Sequence, residues 1–251
     1  GKTAIAARLV QMTEGEVPAE RYLGADHLCF YQFCQAFRND TLDPLRFTRA
    51  LSLHLARHYP AFAEALADAV AGHPEIHVSL QVETADRAEI TGVLIQDLHI
   101  GNLSAQVAFD RIVARPLKRV PQADLPDTIL ILLDALDEAL TYPGETLVDL
   151  LGHVVDDPRD LPSQVRFLLT SRPDQRVTHM LGQPTLDLIA DAPTDLDEVR
   201  DYAHRRLKMM DESRRSELAG RIAEVSQGNF LYVRYVIDDL PTDVEIGRAH
   251  V

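Results

Sequence analysis

Two hydrophobic periods run along the chain, and the switches between them mark out its elements. From Lys2 to Met12, Ile5, Leu9 and Met12 recur at three- to four-residue spacing with alanines between, which predicts a helix ended by Glu14-Gly15. His27-Leu28-Cys29-Phe30-Tyr31-Gln32-Phe33 has the composition of a short strand. Asp43-Pro44 supplies a cap and a first-turn proline for a helix with Phe47, Leu51 and Leu55 on one face, and Pro60 opens another that runs to about Gly72. Residues 75–103 change period. Ile76, Val78, Leu80 and Val82 alternate with polar residues, as do Val93, Ile95 and, less cleanly, Leu98 and Ile100. This predicts an inserted β element that turns near Asp86 to Gly92. Ala105 to Leu117 returns to the helical period through Val107, Phe109, Ile112 and Val113.

Thr128-Ile129-Leu130-Ile131-Leu132-Leu133 is a continuous apolar run of the length expected for a strand buried on both faces. A helix around Thr146–Val155 follows, then a second such run, Val165-Arg166-Phe167-Leu168-Leu169-Thr170, and a third candidate at Leu186-Asp187-Leu188-Ile189. Strands alternating with helices predict an α/β fold with a parallel, doubly wound sheet. After Pro193 only helices are expected, over Asp195–Met210, Ser213–Ser226 and Phe230–Leu240, with a cap signal at Thr194 to Glu198. The expected organisation is a core over 1–193 holding the β insertion, then a small all-helical domain over 194–244. Residues 245–251 match one reading frame of a common sequencing-library adapter and are read as a non-native tail.

Composition narrows the function. With 25 Lys and Arg against 39 Asp and Glu the formal charge is −14, which gives no general attraction to nucleic acid or to an anionic membrane. The longest apolar run stops at Asp134, far short of the roughly 18 residues of a membrane helix. Two cysteines, Cys29 and Cys34, make no disulfide framework, and the expected compartment is the cytoplasm.

Three stretches carry chemistry. A glycine-rich turn that opens a helix with Lys-Thr presents backbone N–H groups and a positive helix end to phosphates, and Gly1-Lys2-Thr3 is the last part of that pattern. There Lys2 reaches toward the terminal phosphates and the Thr3 hydroxyl ligates Mg²⁺. Alone, the tripeptide is weak, and a solvated lysine at a helix start explains it as well. Asp134 ends an apolar strand, where it can hold Mg²⁺ through water, and Asp134-Ala135-Leu136-Asp137-Glu138 adds two carboxylates just beyond. Glu138 or Asp137 is placed to polarise an attacking water; the bland alternative is an acidic loop capping a helix. Thr170-Ser171-Arg172-Pro173 ends the next strand on the same edge, so Ser171 or Thr170 can bond the water and Arg172 can sense the terminal phosphate.

In this order the motifs resemble the STAND class of signal-transduction P-loop ATPases, the NACHT branch in particular. The resemblance covers nearly the whole chain and includes Phe33-Cys34 and Gly228-Asn229-Phe230-Leu231-Tyr232. It implies a P-loop NTPase sheet, here without its first strand. By resemblance Gly1, Lys2, Thr3, Asp134 and Ser171 bind ATP or ADP, Thr3 and Asp134 hold Mg²⁺, Glu138 and Asp137 serve hydrolysis, and Arg172 is the first sensor. It further implies nucleotide-controlled conformation, self-oligomerisation, and effector and sensor domains outside this chain. The front of the glycine loop and the winged-helix domain are also missing, so little turnover is expected from residues 1–251 alone.

Rival readings are weaker. A GTPase would want D-x-x-G and N-K-x-D, and the chain has neither. A AAA+-type ATPase shares the acidic motif, and a nucleotide-binding scaffold without turnover remains the non-enzymatic alternative. His27, Cys29 and Cys34 lack a second ligand pair at metal spacing, so the cysteines are read as packing. His54 and His58 are read as a solvated helix face, Tyr202, Leu207 and Met209-Met210 as helix packing, and Arg205-Arg206 and Arg214-Arg215 as solvated charges.

Overall fold

The computed structural model describes residues 2–18, 28–85, 89–156, 161–182, 193–208, 210–226 and 230–238. They fall into two compact units that divide between Pro184 and Thr185. The expected third strand at 186–189, His27, Gly228-Asn229 and the tail lie outside the described residues.

The larger unit is α/β. Among the described residues its sheet has three parallel strands in the order β1 (Leu28–Phe33), β4 (Ile129–Asp134) and β5 (Val165–Leu169). The central β4 is the apolar run of the sequence, and Ile129, Ile131, Leu132, Leu133 and Asp134 are all buried. The β5 run departs from expectation: Arg166 and Leu168 face outward, with Leu168 36% exposed. Among the described residues β5 hydrogen-bonds β4 only, and its burial alternates, as for a strand covered more on one face than on the other.

Helix α1 (Lys2–Thr13) ends before Gly15, whose φ of 73° no β-carbon opposes. It packs Ala6 and Val10 against Leu28 and Leu132, which places it on β1 and β4. The short α2 (Asn39–Leu42) leads into α3 (Pro44–His58), which Asp43 caps by accepting from the Leu45 and Arg46 amides at 2.8 and 3.4 Å. Phe47, Leu51 and Leu55 of α3 are buried with Phe62 and Leu66 of α4 (Pro60–Val70). The inserted element is an antiparallel ribbon, β2 (Ile76–Ala85) with β3 (Glu89–Ile100). Pairing continues to Ala85 opposite Glu89, so residues 89–92 extend a strand where the sequence predicted part of the turn.

The predicted helix at 105–117 contains a π-turn. Alpha-helical α5 (Ala105–Phe109) widens at Asp110–Ala114 and resumes as α6 (Arg115–Arg119). Pro116 supplies the reason. It has no N–H for the Ile112 carbonyl four residues back, and its ring crowds that carbonyl. The buried Ser52 hydroxyl donates to the Ile112 oxygen at 2.7 Å instead.

After β4, α7 (Leu147–Asp156) starts from a capping box. The Asp149 carboxylate accepts from the Thr146 amide (2.9 Å) and hydroxyl (2.8 Å), and the Asp149 amide donates back at 3.2 Å. Burial pushes Asp149 up, but these bonds and Arg176 outweigh it and hold the group below the usual carboxylate range. Arg176 belongs to α8 (Gln175–Leu181), a helix the hydrophobic pattern did not announce; its signal is the Asp174 cap that follows Pro173.

Among the described residues the smaller unit holds α9 (Pro193–Arg206), α10 (Glu212–Ser226) and α11 (Phe230–Asp238), helices only. Val199, Ala203, Leu207, Ala219, Ile222, Ala223 and Val233 form its core, with Tyr202 and Met210 packed on it. Arg206 pairs with Asp238 at 2.7 Å, and Arg215 pairs with Glu212.

Candidate functional site

The carboxyl ends of β1, β4 and β5 lie side by side, as a parallel sheet requires. Asp134 closes β4, is 1% exposed, and sits opposite Phe33 in the register. The Cys34 amide donates to the Asp134 carbonyl at 3.0 Å, so the chain leaving β1 remains tied to β4. On the other side the Thr170 amide donates to the Leu133 carbonyl at 3.0 Å.

Thr170 organises the turn. Its hydroxyl donates to the Asp134 carboxyl at 2.5 Å and accepts from the Ala135 amide at 3.0 Å, while its carbonyl accepts from the Leu136 amide at 2.8 Å. These bonds hold Ala135 at a φ of 57°, a left-handed conformation that costs a residue with a β-carbon about 1–2 kcal/mol. The reversal sends the chain straight into a 3-10 turn, Leu136–Thr141, anchored by buried Leu136 and Ala139. Asp137 and Glu138 are thereby raised on the rim beside the β5 end.

Both carboxylates meet Arg172. The Arg172 amide donates to Asp137 at 2.9 Å, and its guanidinium lies 3.7 Å from Asp137 and 3.6 Å from Glu138. The guanidinium is 76% exposed, so these ion pairs are loose and the backbone bond is the firm one. Asp137 is therefore the tether of the 170–172 segment. The Glu138 backbone is held by Ala135 and Thr141, while its carboxylate meets only Arg172 among the described residues. Ser171 turns its hydroxyl to the Arg172 carbonyl at 2.7 Å, with Asp137 at a marginal 3.5 Å.

Cys34 is a member of this neighbourhood that the sequence reading placed in the Phe33-Cys34 stretch of the resemblance and otherwise took as packing. Its thiol is pushed up to about 12, first by burial and then by the negative field of Asp134, Asp137 and Glu138. It stays protonated and apolar beside the carboxyl groups. Signals for it were thin; the Phe33-Cys34 pair at the end of a strand was the one available.

The structure thus brings together Asp134, Asp137, Glu138, Thr170, Ser171 and Arg172. Lys2 and Thr3 begin α1, which packs on the same two strands, but no hydrogen bond or ion pair joins them to the rim among the described residues. Gly1 lies outside the described residues. As for a metal, Asp134 offers a buried carboxyl that accepts one hydrogen bond, from Thr170, among the described residues. Its spare acceptor capacity is all oxygen, a donor set that suits a hard cation such as Mg²⁺.

Of the pair expected on a solvated face, His58 is exposed and His54 is half-buried. The rings stack at 4.0 Å, Phe30 meets His54 edge-on at 5.6 Å, and the His58 ring nitrogen bonds the His54 carbonyl at 2.8 Å. Burial first, then the neighbouring His58, lowers His54 to about 4.

No curated protein and no solved structure matches the chain. Residues 1–172 match the family described as Nephrocystin 3, N-terminal. That span begins with Gly1-Lys2-Thr3 and runs through both acidic and Thr-Ser-Arg motifs to the last rim residue, Arg172. It takes in 172 of the 251 residues, and the chain belongs to the Nephrocystin 3, N-terminal family.

Proposed function

We propose that this chain is the ATP-binding and ATP-hydrolysing switch module of a signal-transduction protein of the STAND class, NACHT branch. One observation carries the reading: a buried aspartate at the end of the central parallel strand, held by the neighbouring strand's threonine, with an acid and an arginine on the rim above it. Such strand ends are where open α/β sheets bind ligands. Family membership supports a nucleotide-binding signalling module in general terms.

Each site residue has a role in this proposal. Lys2 and Thr3 open α1, whose first amides and positive end suit phosphate, and Gly1, which precedes them in the sequence, belongs to the same proposed site. Thr3 and Asp134 are the Mg²⁺ ligands, and the cation, when bound, would neutralise charge on the terminal phosphates. Glu138 is the base for the attacking water, Arg172 meets the terminal phosphate, and Asp137 and Thr170 position the others. Ser171 lines the nucleotide side of the rim. Because Arg172 faces Glu138 and Asp137, a terminal phosphate must compete for the guanidinium, which gives the site two arrangements linked to nucleotide. A cytoplasmic location, self-assembly, and effector and sensor domains elsewhere in the full-length protein belong to the same proposal. The scaffold reading rests on the same pair: with Glu138 held by Arg172, nucleotide could bind and not turn over.

Binding of a fluorescent ATP analogue tests this, with and without Mg²⁺, using a chain with a complete glycine loop ahead of Gly1. Lys2→Ala is expected to weaken binding at least about tenfold, the worth of one charge-assisted phosphate contact. Asp134→Asn is expected to remove the Mg²⁺ dependence. Identical binding in all three proteins would sink the proposal.

A further inference from the structure

We propose that the cleft between α5, the π-turn and α7 binds a small organic cation, an amine or guanidine carried on an apolar ring or branched chain. The cleft has a volume of about 320 Å³. An apolar cavity of roughly 150 Å³ holds benzene, so this one has room for a ring and a short polar arm. Its lining is sorted by exposure. Phe109, Ala114 and Leu150, at 4, 2 and 0% exposure, make an apolar floor. Gln106 and His153 are exposed and Asp110 is half-buried, so polar groups stand at the mouth. An apolar floor with a few polar groups to fix orientation is how small-molecule sites are built.

Two features of the backbone set the walls. The π-turn gives both Asp110 and Ala114 to the lining, and π-turns inside helices occur frequently at functional sites. The starts of the two helices are tied together, the Ala105 amide donating to the Glu145 carboxylate at 3.1 Å shortly before α7 begins. Charge then selects the ligand. Asp110 is the one acid in the lining among the described residues. Its carboxylate meets the Arg115 guanidinium at 2.8 Å, but the side chains are 40% and 57% exposed, a weak surface pair that a second cation can share or displace. A carboxylate can accept more than one such bond, and the Gln106 carbonyl and a His153 ring nitrogen offer acceptors at the same mouth. The formal charge of −14 draws cations and repels anions. None of these residues belongs to the rim of Asp134 and Arg172, so failure here would leave the proposed function standing.

Phenethylamine, titrated into the whole chain and followed by proton NMR at the His153 ring, tests the proposal; loss of the signal in His153→Gln identifies it. The signal should move to saturation with a dissociation constant on the order of 1 mM, about what a small fragment attains. Phenylacetate, with the same ring and the opposite charge, should bind at least about tenfold more weakly. Asp110→Asn should weaken phenethylamine about tenfold, the worth of one charge-assisted bond. Val107→Trp, at a 38% exposed position of the wall, should exclude the amine by filling the cleft. Both positions reach solvent, so both variants should fold as wild type does. A His153 signal that stays still, an equal response to phenylacetate, or either variant binding phenethylamine as wild type does overturns the proposal.

Discussion

Ser52 and Asp134 are both buried polar residues of the larger unit, and their surroundings treat them in opposite ways. Ser52 lies in the helical layer of α3 to α6, where its one hydrogen goes to the carbonyl that Pro116 leaves bare. Thr48, buried nearby, likewise bonds the Pro44 carbonyl at 2.7 Å. That layer spends its polar groups on its own backbone and closes. Asp134 at the sheet rim takes one bond from Thr170 and sits among Asp137, Glu138 and Cys34, with Ala135 held in a left-handed turn. The layer is built for stability. The rim concentrates charge and strain that stability alone does not call for, which is how binding sites differ from cores.

The largest effect should come from the closed layer. Leu51, 0% exposed, cut to alanine should cost about 2–5 kcal/mol in urea unfolding, since it leaves a cavity among Phe47, Leu55 and Phe62. An equally large loss from Glu138→Gln would erase the contrast between the two regions.

Ser52→Ala should cost about 1–3 kcal/mol by stranding the Ile112 carbonyl. Pro116→Ala, which restores an N–H four residues on, should recover part of that loss in the double variant. Additive effects would mean that the serine and the proline are unrelated.

His54 links the layer to pH. Its folded value of about 4 lies below the unfolded 6.5, so the fold favours the neutral ring. Between those values the unfolded chain binds more protons, and stability should fall as pH drops from about 6.5 toward 4 and be level above. The charged and titratable neighbours are His58, Arg57, Cys29 and Tyr59. His54→Phe should flatten that slope in thermal melts taken across the window.

The smallest effect belongs to the rim. Ala135→Gly, relieved of its β-carbon, should gain up to about 1 kcal/mol with the site geometry intact. A loss there would show that Ala135 packs rather than merely turns.

The same division governs what the sequence made legible. Apolar runs and helical periods located β1, β4, β5 and α3 because burial repeats along the chain. Asp43-Pro44 announced α3 for the same local reason. The π-turn was not legible, since Ser52 and Ile112 are 60 residues apart and only folding joins them. The α8 helix was missed because its apolar face is a single buried residue, Val177. At the rim the carboxyl groups and Arg172 could be named from strand ends. The Thr170–Asp134 bond could not, because it crosses from one strand to the next. Phe37, 91% exposed at a φ of 63°, was invisible for a different reason: exposure and φ leave no periodic trace.

The central claim is that this rim hydrolyses ATP through Glu138. Single-turnover phosphate release, with Mg²⁺ and a complete glycine loop ahead of Gly1, tests it most directly. Glu138→Gln should bind nucleotide as wild type does and release phosphate about 10²–10⁴-fold more slowly, the usual worth of a positioned general base. Equal rates from the two proteins would contradict the account.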